Sequence, residues 1–159
     1  YLRLVRPVGD TTDAICVHDF AEAVELLNHL DGNIFLTTGS KNLPDFTGVE
    51  NYAERIALRV LPMENSLHTA LSLGYKPASI VCMQGPFSKE LNVAMFKKFD
   101  SKFVVTKDSG AVGGFAEKVE AAQAAGAILI VIGRASEEVG DGYNEIVSYL
   151  QKHFQKTVE

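Results

Sequence analysis

The stretch FVVTKDSGAVGGFAEKVEAAQAAGAILIVI, from Phe103 to Ile132, reads as strand, glycine-rich loop, helix and strand. Phe103-Val104-Val105 and Ile128 to Ile132 are short, continuous apolar runs, the pattern of strands buried on both faces. Between them Phe115, Val119 and Ala122 recur at helical spacing. Two such strands joined through a helix make a parallel βαβ unit with a right-handed crossover. The alternation continues upstream. Apolar runs begin at Ile34 (Ile34-Phe35-Leu36), Ile56 (Ile56-Ala57-Leu58, then Val60-Leu61) and Ile80 (Ile80-Val81-Cys82-Met83), recurring roughly every two dozen residues. Helical periodicity fills the gaps: Phe20, Val24 and Leu27; Leu67 and Leu71; Leu91, Met95 and Phe99. Tyr143, Ile146, Val147, Leu150 and Phe154 give a final amphipathic helix. The fold expected is α/β: a Rossmann-like open parallel sheet of about five strands with helices on both faces. A closed β/α barrel needs more units than this chain holds.

The bulk numbers agree and exclude other classes. The chain has 159 residues, of which 47% are hydrophobic and 22% charged, so it can bury one core and is no disordered tail. The expected organisation is residues 1–12 as an interdomain arm or added strand, then 13–159 as a single Rossmann-like α/β domain. A net charge of -5 argues against a nucleic-acid partner. Lys97-Lys98 reads as a solvated helix face. The longest apolar run, Ala127 to Ile132, is too short to span a membrane. The N-terminus has no signal-like apolar core. Cys16 and Cys82 form no C-x-x-C pair, so neither a disulfide framework nor a zinc site is indicated, and Cys82 is expected as a buried core thiol. His18, His29, His68 and His153 are scattered and suggest no metal. A cytoplasmic setting fits these features.

In an open parallel sheet, ligands bind beyond the carboxyl ends of the strands. Candidate chemistry therefore lies just after each run. Thr37-Thr38-Gly39-Ser40 follows the Ile34 strand. Gly39 lets backbone approach a ligand and free N–H groups hold phosphate, although an ordinary βα turn explains the residues too. Gln84-Gly85-Pro86-Phe87-Ser88 follows the Ile80 strand. Ser88 is an expected helix N-cap with Glu90 in the first turn, whereas Gln84 offers both donors and acceptors to a ligand. Thr106-Lys107-Asp108-Ser109-Gly110 is the richest loop, with Gly113 and Gly114 beyond it. Lys107 suits a phosphate or carboxylate. Asp108 suits a ribose hydroxyl, a proton relay or an ion pair with Lys107. Neither G-x-G-x-x-G, nor a P-loop, nor a G-x-S-x-G elbow occurs. The residues alone indicate an α/β domain for a small anionic or nucleotide-like ligand, without specifying a reaction.

In combination these loops resemble the precorrin-6A reductase family, including its cobalt-precorrin-6A relatives. The resemblance rests on Leu4-Val5-Arg6-Pro7, Phe35 to Leu43, Arg59-Val60-Leu61-Pro62, Gln84 to Ser88 with Glu90 and Asn92, and Val105 to Gly110 with Gly113, Gly114, Glu117 and Lys118. Arg134-Ala135 departs from the expected Arg-Pro. The resemblance implies an NADPH-dependent reductase of cobalamin biosynthesis that reduces a double bond of a corrinoid precursor. It also implies two Rossmann-like halves. The glycine-rich G-G-T-x-E motif of the upstream half is absent here, so this chain resembles the second half and is expected to need a missing N-terminal domain for activity. Carried over by motif, Thr38, Gly39, Ser40, Gln84, Gly85, Pro86, Phe87, Ser88, Lys107 and Gly110 are the expected cofactor positions. Arg59 and Lys107 are expected to bind substrate carboxylates. Asp108, or a water held by Ser109, is expected to supply the proton. The alternative reading is a stand-alone nucleotide- or anion-binding α/β module without catalytic activity.

Overall fold

The computed structural model describes residues 2–5, 14–107, 115–133, 147–148 and 150–152. Its strands are β1 (Leu2–Val5), β2 (Ala14–Val17), β3 (Asn33–Leu36), β4 (Ile56–Val60), β5 (Ile80–Cys82), β6 (Ser101–Lys107) and β7 (Ile128–Ile132). Its helices are α1 (Phe20–Asn28), α2 (Leu43–Phe46), α3 (Tyr52–Arg55), α4 (Glu64–Ser72), α5 (Lys89–Lys98) and α6 (Phe115–Ala124). The seven strands form one sheet in the order β1-β2-β7-β6-β3-β4-β5. All pairings are parallel except β1 with β2, which is antiparallel. The α/β class and open parallel sheet are as expected. Six strands run parallel, close to the five expected, and the antiparallel β1 brings the sheet to seven. Ala14-Ile15-Cys16-Val17 is a four-residue run with two small members, so its periodic signal is weak, yet it pairs with β7 along its whole length.

The two faces explain the continuous apolar runs. On one face Ile15, Ile34, Leu36, Ile56, Leu58, Phe103, Val105 and Ile130 pack with α1, through Ala23, Leu26 and Leu27, and with Leu43, Phe46, Ala70, Val147 and Leu150. On the other face Phe35, Ala57, Val104, Leu129 and Val131 pack under α5 and α6, through Met95, Phe96, Val119 and Ala122. Strand alternation sends successive side chains to opposite layers, so every residue of β7 is buried.

Two local expectations are corrected. Leu67 and Leu71 are exposed, at 37% and 42%. Helix α4 turns Ser66 and Ala70 inward instead, with Leu73 continuing that stripe. Small inward residues let the helix approach the sheet closely, and no described element covers its outer face. Cys82 is also exposed. It closes β5, a three-residue edge strand, so the apolar run there never acquires a second neighbour.

Candidate functional site

The strand order places β3 beside β6, and their outgoing connections diverge. The chain leaves β3 towards β4 and leaves β6 towards β7. This is a topological switch point, where an open α/β sheet leaves a crevice at its carboxyl edge. Thr37 closes the two strands there: its backbone N–H and its hydroxyl both donate to the Val105 carbonyl, each at 2.9 Å. A cleft of about 160 Å³ opens beside it, lined by Thr37, Gly39, Arg59, Val60, Leu61, Met83, Gly85 and Phe87. Three of the expected loops therefore meet in one place.

Each wall has a local cause. Gly39 has φ +80°, and a Cβ built there would meet no atom within 4 Å, so its backbone faces open space. Thr38, next to it, is buried, and its hydroxyl has no hydrogen-bond partner among the described residues. A buried hydroxyl left unpaired is costly, and such a group beside a cleft is suited to a ligand's polar atom. The residues present thus fit a nucleotide cofactor on this loop. Ser40 instead donates to Ser66 Oγ at 3.5 Å. On the opposite wall the Gly85–Pro86 peptide is cis. A Cβ on Gly85 would lie 3.0 Å from the Phe87 ring, so glycine is what lets that ring come close.

Arg59 supplies the charge. In β4 it alternates with Leu58 and Val60 and so leaves the sheet on the α5 face, the side on which Ala57 packs. Its Cζ sits 3.5 Å from the centroid of the Phe87 ring. Its Nη1 donates to Asn92 Oδ1 at 2.7 Å. Desolvation lowers its pKa to about 10, and no carboxylate among the described residues acts on it. It remains a cation at neutral pH, held by a neutral amide and an aromatic face.

The other expected positions divide. Gly39, Arg59, Gly85 and Phe87 meet in the cleft. Ser88 caps α5, accepting from the Leu91 N–H at 3.1 Å. Gln84, Pro86 and Ser88 are exposed and do not line the cleft. Lys107 ends β6 on the other face of the sheet from Arg59, with its Nζ 5.7 Å from the Phe20 ring centroid. Asp108, Ser109 and Gly110, and likewise His153, lie outside the described residues. Sequence reading did not assign Thr37, Met83 or Asn92 to the site. Asn92 stood in a motif run, but only the packing of α5 against β4 reveals its partner.

The comparisons with known proteins bear on what this cleft belongs to. Residues 1–151 match the family model described as precorrin-6x reductase CbiJ/CobK. The chain belongs to the precorrin-6x reductase family. It is 36% identical to the cobalt-precorrin-6A reductase of Methanothermobacter thermautotrophicus, over 96% of this chain and 53% of that protein. It is 38% identical to the cobalt-precorrin-6A reductase of Priestia megaterium, over 80% of this chain and 51% of that protein. This member of the precorrin-6x reductase family thus spans about half the length of the curated relatives it matches. A solved structure of CobK precorrin-6A reductase shares the fold, with a TM-score of 0.60 and 24% identity over 96% of this chain and 59% of that one. No helix among the described residues is long and apolar enough to cross a membrane.

Proposed function

We propose that this chain forms the second half of an NADPH-dependent precorrin-6A or cobalt-precorrin-6A reductase. In this reading it acts on a macrocycle double bond in cobalamin biosynthesis, in the cytoplasm, with a preceding domain completing the site. The observation that carries the reading is the meeting of the Gly39, Arg59 and Gly85–Phe87 segments in one cleft at the carboxyl edge of β3, β4 and β5, beside the sheet's switch point. Bound NADPH supplies a hydride to one carbon of the double bond. The chain's own residues bind and orient. Gly39 exposes backbone to the cofactor, and the buried Thr38 hydroxyl takes a polar atom from it. Arg59 and Lys107 hold carboxylates on the rim of the corrinoid precursor. Asp108, or a water held by Ser109, delivers the proton that completes the reduction.

The test is NADPH oxidation in the presence of precorrin-6A, followed with this domain joined to the remaining half of a reductase of the relatives' length. Turnover is expected in the joined protein and absent from the 159-residue chain alone. The double variant Lys107→Ala, Asp108→Ala is expected to lose it, by about 100-fold or more. Unchanged turnover in that variant removes those residues from the site. Nucleotide binding without any turnover in the joined protein favours a binding module instead.

A further inference from the structure

Arg59 is partly buried, faces a cleft and carries a charge that no described carboxylate neutralises. The chain holds 20 acidic side chains against 15 basic ones, so an acidic partner would have been easy to place there. In its position stands Asn92, whose Oδ1 lies 2.7 Å from Arg59 Nη1. Asparagine and aspartate are nearly isosteric and accept the same hydrogen bond. They differ in charge, and a carboxylate at that distance would quench the guanidinium. Phe87 covers one face of the guanidinium without quenching it.

We propose that Asn92 is a positioning residue that holds Arg59 as a pre-set, un-neutralised receptor for an anionic group of the ligand, and that the neutrality of position 92 is what keeps the site open to anions. The anion is a carboxylate or a phosphate, since both match the fork of a guanidinium. The inference rests on the cleft being the ligand site of the reductase. Asn92 does not line the cleft and acts through Arg59. Arg59 is preorganised: it loses little freedom when the anion arrives, because Phe87 and Asn92 have already fixed its plane.

The experiment follows the Arg59 Nε–Hε resonance of the intact protein by NMR, assigned from its loss in Arg59→Lys. Inorganic phosphate and acetate are titrated separately. In the parent protein the signal is expected to shift saturably. In Asn92→Asp the phosphate affinity is expected to fall about tenfold or more, with the melting temperature kept or raised by the new ion pair. In Asn92→Ala it is expected to fall by a smaller factor, about threefold, because the charge stays but its plane is released. A purely structural Asn92 would lower the melting temperature in both variants and leave anion affinity alone. That result, a parent signal that ignores both anions, or an Asn92→Asp affinity within about twofold of the parent overturns the proposal. Two further ligands identify the source of the anion: uroporphyrin, a porphyrin with carboxylates around its rim, and NADP. Loss of uroporphyrin binding alone in Asn92→Asp assigns Arg59 to the macrocycle, and loss of NADP binding alone assigns it to the nucleotide. Both ligands are also added to this domain joined to the remaining half; if that joined protein binds neither, the reductase reading fails, while the phosphate titration still decides the role of Asn92.

Discussion

Arg55 and Arg59 stand at the two ends of β4, and the chain treats them in opposite ways. Arg55 precedes the strand, at the amino edge of the sheet. Its guanidinium donates to the carbonyls of Gly32 at 3.1 Å, Leu27 at 3.3 Å, Leu30 at 2.8 Å and Glu50 at 3.5 Å. It closes the carboxyl end of α1 and the turn into β3, where orphan carbonyls need donors. Burial lowers its pKa, while Asp31 and Glu50 act to raise it. Arg59, at the carboxyl edge, has among the described residues one neutral acceptor and one aromatic face, and burial lowers its pKa with none of those residues opposing it. A cation whose donors are spent is a clamp. A cation whose donors remain free beside a cleft is a receptor.

The largest effect tests the clamp. Arg55→Ala is expected to cost about 3 kcal/mol in urea denaturation, because several carbonyls lose a charged donor at once. Phosphate binding by the molecules that remain folded is expected to be unchanged. A loss below about 1 kcal/mol would mean that water replaces Arg55 freely and that the contrast is one of location only.

A pH series sharpens the other side. The folded chain disfavours the Arg59 cation, with its pKa lowered to about 10 from the ordinary arginine value. Between those values the unfolded chain holds more protons, so this residue's contribution to stability rises with pH there, and below that window it opposes folding. Arg59→Met is therefore expected to leave neutral-pH stability unchanged or to raise it by about 1 kcal/mol in the same denaturation. The anion-competent form is the protonated one. Phosphate affinity is expected to fall as pH rises through about 10, where an ordinary arginine would stay charged and hold it. Affinity flat to pH 11 would mean that Arg59 keeps its charge there, and binding that survives Arg59→Met would place the binding charge elsewhere.

The smallest effect extends the contrast between spent and unspent groups to apolar side chains. Leu71→Ser, on the outer face of α4, is expected to change stability by less than about 0.5 kcal/mol. A leucine that packed inward at that position would cost several times more. Differential scanning calorimetry separates the two.

Much of this was legible in the chain itself. The β3, β4, β6 and β7 runs announce buried strands, the β5 run announces a strand, and Ser88 announces the cap it makes. The reading faltered where the signal is local but the burial is not. Leu67 and Leu71 have the spacing of a core face, yet α4 packs through Ser66 and Ala70. Cys82 sits in an apolar run, yet the run lies on the sheet's edge. The candidate loops were legible for a general reason: parallel topology sends every ligand-facing connection to one rim. Which loops touch was not. Arg59 and Lys107 read as a pair of anchors, and strand alternation puts them on opposite faces of the sheet.

The sequence by itself determined the α/β class, the buried parallel strands and the rim on which chemistry is to be sought. Those follow from periodicity and turn chemistry, which act over a few residues. Only the tertiary structure decided the order β1-β2-β7-β6-β3-β4-β5, and with it the crevice between β3 and β6 and the seat of Arg59 against Phe87 and Asn92. Neighbours across a sheet are chosen by the packing of both faces at once, so no single stretch of chain carries that information.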